Sequence, residues 1–149
     1  MYKILLFFVV VLTAMMHAPV WAQSTSPIGL WKSIDDDTGK PSALIRITEI
    51  AGEFRGRIVK IFPEPGEPDN PICNLCEGKF KDQPIVGLTI LYGMRREGGE
   101  YTGGQIFDPD NGVLYRCRMV LTDDGNKLNI RGYIGVPMLG RTQIWLREE

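Results

Sequence analysis

Val113-Leu114-Tyr115-Arg116-Cys117-Arg118-Met119-Val120-Leu121 carries the clearest structural pattern in the chain. Val113, Tyr115, Cys117, Met119 and Leu121 alternate with Leu114, Arg116, Arg118 and Val120. Successive side chains of a β-strand point to opposite faces. Period two therefore puts the first set against a core and both arginines on the other face. Cys117 is expected to point inward, where a thiol behaves as a small hydrophobe.

The same texture recurs on both sides of this stretch. Segments of strand character fall at 28–34, 42–50, 53–61, 84–91, 101–107, 113–121, 127–133 and 141–147. Turn-forming residues separate most of them: Asp35-Asp36-Asp37-Thr38-Gly39-Lys40-Pro41, Ala51-Gly52, Asp108-Pro109-Asp110-Asn111-Gly112 and Asp123-Asp124-Gly125-Asn126. The two strands joined by Ala51-Gly52 make a strong hairpin signature. No segment has a helical period long enough to form a substantial helix. Eight short strands joined by hairpin turns indicate an all-β barrel or sandwich, and a closed up-and-down barrel removes exposed edges. At eight strands the interior is either filled by side chains or holds one small ligand.

Residues 62–83 break the rhythm. They contain Pro63, Pro65, Pro68 and Pro71, with Gly66 and Gly78. Proline offers no backbone donor, so this stretch is read as one long Pro-rich loop. Loops of this length in compact domains are often functional. This one carries Cys73-Asn74-Leu75-Cys76.

At the start of the chain, Lys3 precedes an apolar run over 4–11, and Val20-Trp21-Ala22 precedes Gln23. A basic residue, a short apolar region and a small residue at a cleavage point read as a signal peptide over 1–22, cut after Ala22. The run is short for a transmembrane anchor. The expected product is a single domain over 23–149, periplasmic or secreted. Its size allows about two-thirds of its unfolded surface to be buried. Loss of Lys3 from 17 basic residues, against 18 acidic ones, takes the net charge from −1 to −2. That balance gives no reason to expect nucleic acid as a partner.

Cleavage would also remove His17, the only histidine. Ser–His and Cys–His pairs then have no base, so no catalytic residue is assigned. Asp37-Thr38-Gly39 matches the aspartic-protease tripeptide, but Lys40 follows and no second copy exists. The two acidic turns lack the glutamate that closes an EF-hand loop: its twelfth position falls on Arg46 or Met119. Both read as Asx-type turns. No cofactor or metal is expected.

Cys73 and Cys76 read as a structural disulfide clipping the loop. Two alternatives stay open: a thiol-redox pair, and a metal half-site short of ligands. Cys117 pairing with one of the two is a further arrangement.

Gly29-Leu30-Trp31 opens the first strand. This resembles the Gly-x-Trp of lipocalins, whose tryptophan packs at the closed barrel end beneath an arginine from the last strand. Arg141 and Arg147 flank the last strand here, and either suits that role. An indole is a large plug and a guanidinium stacks on its face. The chain also resembles a family of small exported bacterial proteins catalogued as a domain of unknown function. The resemblance is carried by Gly29-Leu30-Trp31, Asp36-Asp37-Thr38-Gly39-Lys40, Gly56-Arg57-Ile58-Val59-Lys60 and Asn70-Pro71-Ile72-Cys73 with Cys76. It continues in Pro84-Ile85-Val86-Gly87-Leu88, Asp108-Pro109-Asp110-Asn111-Gly112, Tyr115-Arg116-Cys117, Arg131-Gly132-Tyr133-Ile134-Gly135 and Leu139-Gly140-Arg141-Thr142-Gln143. It implies a lipocalin-like barrel.

The function expected is non-catalytic binding of a small apolar or amphipathic ligand. Trp31, Tyr115 and Met119 are the candidate ligand-binding residues, with 62–83 as lid or rim. Two other readings follow from the same residues. One is a filled barrel that meets a cell-envelope protein partner through 62–83. The other is a thiol-redox protein using Cys73 and Cys76.

Overall fold

The structure, a computed structural model, describes residues 25–149. The expected signal peptide and its cleavage point lie outside the described residues. Eight strands follow in chain order: β1 Gly29–Ile34, β2 Pro41–Ile50, β3 Glu53–Ile61, β4 Thr89–Glu97, β5 Glu100–Asp108, β6 Val113–Thr122, β7 Lys127–Tyr133 and β8 Arg141–Arg147. Each pairs antiparallel with the next, and β8 pairs back onto β1 through Trp31–Arg147, Lys32–Leu146 and Ser33–Trp145. The barrel is closed, so every strand has two partners and no edge is left to pair with another chain.

Up-and-down order sorts the connections between two ends. Turns 51–52, 98–99 and 123–126 share one end with residues 25–28. Connections 35–40, 62–88, 109–112 and 134–140 share the other, which is the mouth. In the β2–β3 hairpin both turn residues have positive φ, +51° at Ala51 and +78° at Gly52. That mirror-image turn matches the twist of the strands it joins.

On β6 the sequence pattern is obeyed. Cys117 and Met119 are fully buried, Tyr115 is half-buried, and Leu114 and Arg116 are exposed. Trp31, Ile47, Phe54, Met94, Tyr101, Met119 and Leu128 fill the lower barrel. Phe54 and Tyr101 meet edge to face at 5.0 Å. Each such side chain contributes about 1.5–3 kcal/mol by leaving water.

The fourth strand differs from the expectation. It runs over 89–97, not 84–91. Pro84 bridges Ile72 and the Ile85 amide donates to the Pro71 carbonyl, so this part of the chain folds back on its own loop. Gly87 and Leu88 reach β3 through the Ile58 backbone, and the Gly87 carbonyl also accepts from Arg57 Nε at 2.8 Å. The true strand continues through Arg95-Arg96-Glu97, whose charges hid it. Their side chains face solvent, while Met94 is fully buried.

The loop is accordingly 62–88; Phe62, Glu64, Glu67, Pro71 and Ile85 border the mouth, while the stretch around Leu75 and Phe80 packs on the outside of the barrel. Phe80 stacks on Phe107 with centroids 4.7 Å apart. Phe107 pairs with the exposed Leu114 and so faces outward, yet the loop leaves it 4% exposed. At Gly112 the approach is tighter still. A Cβ there would lie 2.1 Å from the Leu75 carbonyl oxygen, and φ is +73°. Only glycine meets both demands. Cys73 and Cys76 form a disulfide inside this loop, and Cys117 is free and buried.

Candidate functional site

Two tryptophans divide the barrel interior. At the closed end, Trp31 donates its indole N–H to the Pro27 carbonyl at 2.7 Å. The Arg147 guanidinium lies 4.2 Å from the Trp31 ring centroid. It donates to the carbonyls of Gly125, Ser26 and Ile28 at 2.6–2.9 Å. One turn, the N-terminal approach and β8 are thus tied together beneath the indole.

Trp145, two residues before Arg147 on β8, is the floor of the space above. From there to the mouth runs a cavity of about 730 Å³. Its wall is largely aliphatic: Ile45, Ile58, Ile90, Ile106 and Ile130, with Ala43 and Gly132. The two small residues leave room that larger ones would fill. A Cβ on Gly132 would meet Tyr115 and Ile106 only at ordinary contact distances, 3.4–3.5 Å.

The few polar groups inside are paired. Ser33 Oγ lies 2.7 Å from Ser42 Oγ and accepts from the Ala43 amide at 3.0 Å. Tyr115 accepts from Asn111 Nδ2 at 3.0 Å, and the Trp145 indole N–H reaches Gln143 Oε1 at 3.4 Å. Among the described residues no buried side-chain N or O atom lacks a partner. A satisfied, apolar chamber of this size suits the tail of a small molecule.

The mouth has the opposite character. Asp35, Glu64, Glu67, Asp108 and Asp110 line it with Lys40 and Arg141. Asp35 caps its own turn, accepting from the Thr38 hydroxyl at 2.8 Å and the Thr38 amide at 2.7 Å. These bonds hold its pKa below the ordinary carboxylate value. Asp108 likewise accepts from the Asp110 amide and Asn111 Nδ2. Both acidic turns are therefore Asx-type turns. Asp110 is pushed the other way, first by desolvation and then by the neighbouring charges of Asp108, Asp35 and Glu67. Lys40 pairs with Glu64 and Arg141 with Asp36.

The candidate residues separate along the barrel axis. Tyr115 lines the cavity, whereas Trp31 and Met119 lie fully buried outside its lining. Arg147 is the arginine on Trp31; Arg141 sits at the other end, 2.8 Å from Asp36. The cysteine pair lies outside the chamber lining, its Cys73 Sγ 3.6 Å from the Pro109 carbonyl. Burial pushes the Cys117 thiol up to about 12. Sequence reasoning missed Trp145 as the cavity floor, although Gln143, Trp145 and Arg147 alternate on β8 in the same way as the β6 residues. It also missed Gly132, whose missing side chain makes space.

The comparison with curated proteins finds no match to this chain. A solved structure, that of protein HP1028 from the human pathogen Helicobacter pylori, is described as belonging to the lipocalin family. It superposes with a TM-score of 0.71 at 18% sequence identity, over 85% of each chain. That likeness is one of fold: a lipocalin-like barrel. A family model matches residues 29–147, and the chain belongs to that family, described as an uncharacterized protein conserved in bacteria (DUF2147).

Proposed function

We propose that this protein is an exported, non-catalytic carrier of a small apolar or amphipathic molecule, held in the barrel above Trp145. The cavity of about 730 Å³, apolar in its wall and polar at its mouth, is the observation that carries this reading. An apolar tail would contact Ile45, Ile106, Ile130 and Tyr115, and a head group would meet the charged mouth. Carboxylates outnumber cations there, and Lys40 and Arg141 are already paired, so a neutral or cationic head is accommodated better than a carboxylate. The leader over 1–22 supports export, as does the disulfide, which persists in oxidising compartments.

The loop favours this reading over an interaction module built on 62–83. Phe80, its one aromatic besides Phe62, is turned onto Phe107 and is not offered to a partner. The test is uptake of the apolar fluorophore N-phenyl-1-naphthylamine. The native barrel is expected to bind it saturably, one per chain. Ala43→Phe together with Gly132→Phe is expected to weaken uptake at least tenfold while the circular dichroism stays that of a β-barrel. Equal uptake by the filled variant would sink the reading.

A further inference from the structure

The β7–β8 connection is the least typical surface of the molecule. Residues 134–140 read Ile-Gly-Val-Pro-Met-Leu-Gly, with no charge. Met138 is 88% exposed and Leu139 81%, and Ile134 and Val136 are also more than half exposed. Scattered apolar residues on a surface need no explanation, but four on one projecting connection do.

The backbone beneath them is firmly held. Arg131 donates to the Pro137 carbonyl at 2.6 Å, to the Met138 carbonyl at 3.2 Å and to Thr142 Oγ1 at 2.7 Å. Pro137–Leu139 forms a single 3₁₀ turn closed by the Gly140 amide. A Cβ on Gly140 would lie 2.4 Å from the Gly132 carbonyl oxygen, so the turn is pressed against β7. Polar groups are thus satisfied inward and apolar side chains project outward. Residues 25–28 lie at the other end of the barrel, bound to Arg147 and Tyr101, so they do not cover this connection.

We propose that 134–140 is a docking prong that inserts into the surface of a zwitterionic lipid bilayer and sets the cavity mouth against it. Three features select that occupant. Ile134 and Leu139 also line the cavity, so the prong stands at the edge of the chamber. Four side chains fall far short of the about 20–30 residues per side of a stable protein interface, whereas shallow insertion between head groups needs no more. The cations beside the prong are engaged, Arg131 by the Pro137 and Met138 carbonyls and Arg141 by Asp36, and the mouth is rich in carboxylates, so an anionic surface is not favoured. The ligand reading gives the prong its purpose: an amphipathic molecule could pass between bilayer and barrel without crossing water.

The experiment is flotation of the purified protein with phosphatidylcholine vesicles, beside dye uptake in their absence. The protein is expected to float, and Val136→Ser with Met138→Ser is expected to cut the floating fraction at least tenfold. Both side chains are already exposed and neither lines the cavity, so the variant should keep its melting temperature and its uptake of N-phenyl-1-naphthylamine. Failure of the unaltered protein to float, or flotation unaffected by the double substitution, overturns the prong. So does flotation that needs anionic lipid and is lost in high salt. A dimer that the substitution dissolves, with no vesicle binding, would make the prong a contact between copies and overturn it too. Flotation without dye uptake upholds the prong and removes the ligand from the chamber instead.

Discussion

Arg147 covers Trp31 with its guanidinium 4.2 Å from the ring centroid and anchors three carbonyls from two other parts of the chain. The pair closes the barrel from below and leaves the space above Trp145 open. Desolvation there pulls the guanidinium pKa below its ordinary value, yet the group stays charged at any pH the fold survives. Arg147→Ala would strand those carbonyls and uncover the indole, at a cost of about 2–4 kcal/mol. Urea denaturation checks this. Arg147→Lys should recover less than half, because an ammonium cannot serve three carbonyls while lying flat on a ring. Full rescue by lysine would reduce the arrangement to a point charge.

The architecture was legible wherever one face of a strand meets the core and the other meets water, as in β6. It failed at β4, where Tyr92-Gly93-Met94-Arg95-Arg96-Glu97 puts three charges in a row at the end of a hairpin. Gly93 has φ +64° and interrupts the alternation. The plug was half legible. Gly29-Leu30-Trp31 marked the tryptophan, but choosing between Arg141 and Arg147 needs the β1–β8 register, which pairs Trp31 with Arg147. The cavity itself was not legible. It exists because Ala43 and Gly132 are small where strands bring them near Tyr115 and Ile106, and spacing alone does not report an empty volume.

The disulfide is expected to organise the loop more than the barrel. Cys73 and Cys76 close a ring of only a few residues, which removes little chain entropy. Cys73→Ala with Cys76→Ala should cost about 2 kcal/mol or less, with the strand spectrum unchanged. The loop should respond more strongly, because both sulfurs are buried in its packing against Pro109 and Gly112. Trypsin should then cleave after Lys79 and Lys81 at least several times faster. Loss of the whole β-sheet signal would show that the loop is needed for folding.

Cys117 should be silent to thiol reagents in the native state. Its pKa is raised from an ordinary value near 9 to about 12, and no solvent reaches it. Iodoacetamide at pH 8 is expected to label no cysteine until urea opens the barrel, and then one. The same shift has a thermodynamic consequence. A thiol whose folded pKa is raised binds its proton more tightly when folded. That contribution is complete below about pH 9 and is lost between about pH 9 and 12. Cys117→Ala should therefore flatten the alkaline fall in melting temperature. Rapid native labelling would contradict the burial.

Asp110 works in the opposite range. Desolvation and the charges of Asp108, Asp35 and Glu67 raise its pKa, so the folded protein holds this proton more tightly than the unfolded chain does. The favourable contribution is present at low pH and disappears as pH rises through the folded value. At pH 7 the ionised carboxylate is a net burden on the mouth. Asp110→Asn should then stabilise the fold at pH 7 by less than about 1 kcal/mol, read as a small rise in melting temperature, because solvent screens this exposed rim. Near pH 3, where both states are protonated, the difference should vanish. The same substitution removes one negative charge from the mouth, so binding of a cationic amphiphile should weaken while that of a neutral one holds. An asparagine variant less stable than the native protein at pH 7 would mean that Asp110 makes an attractive contact, not a repulsive one.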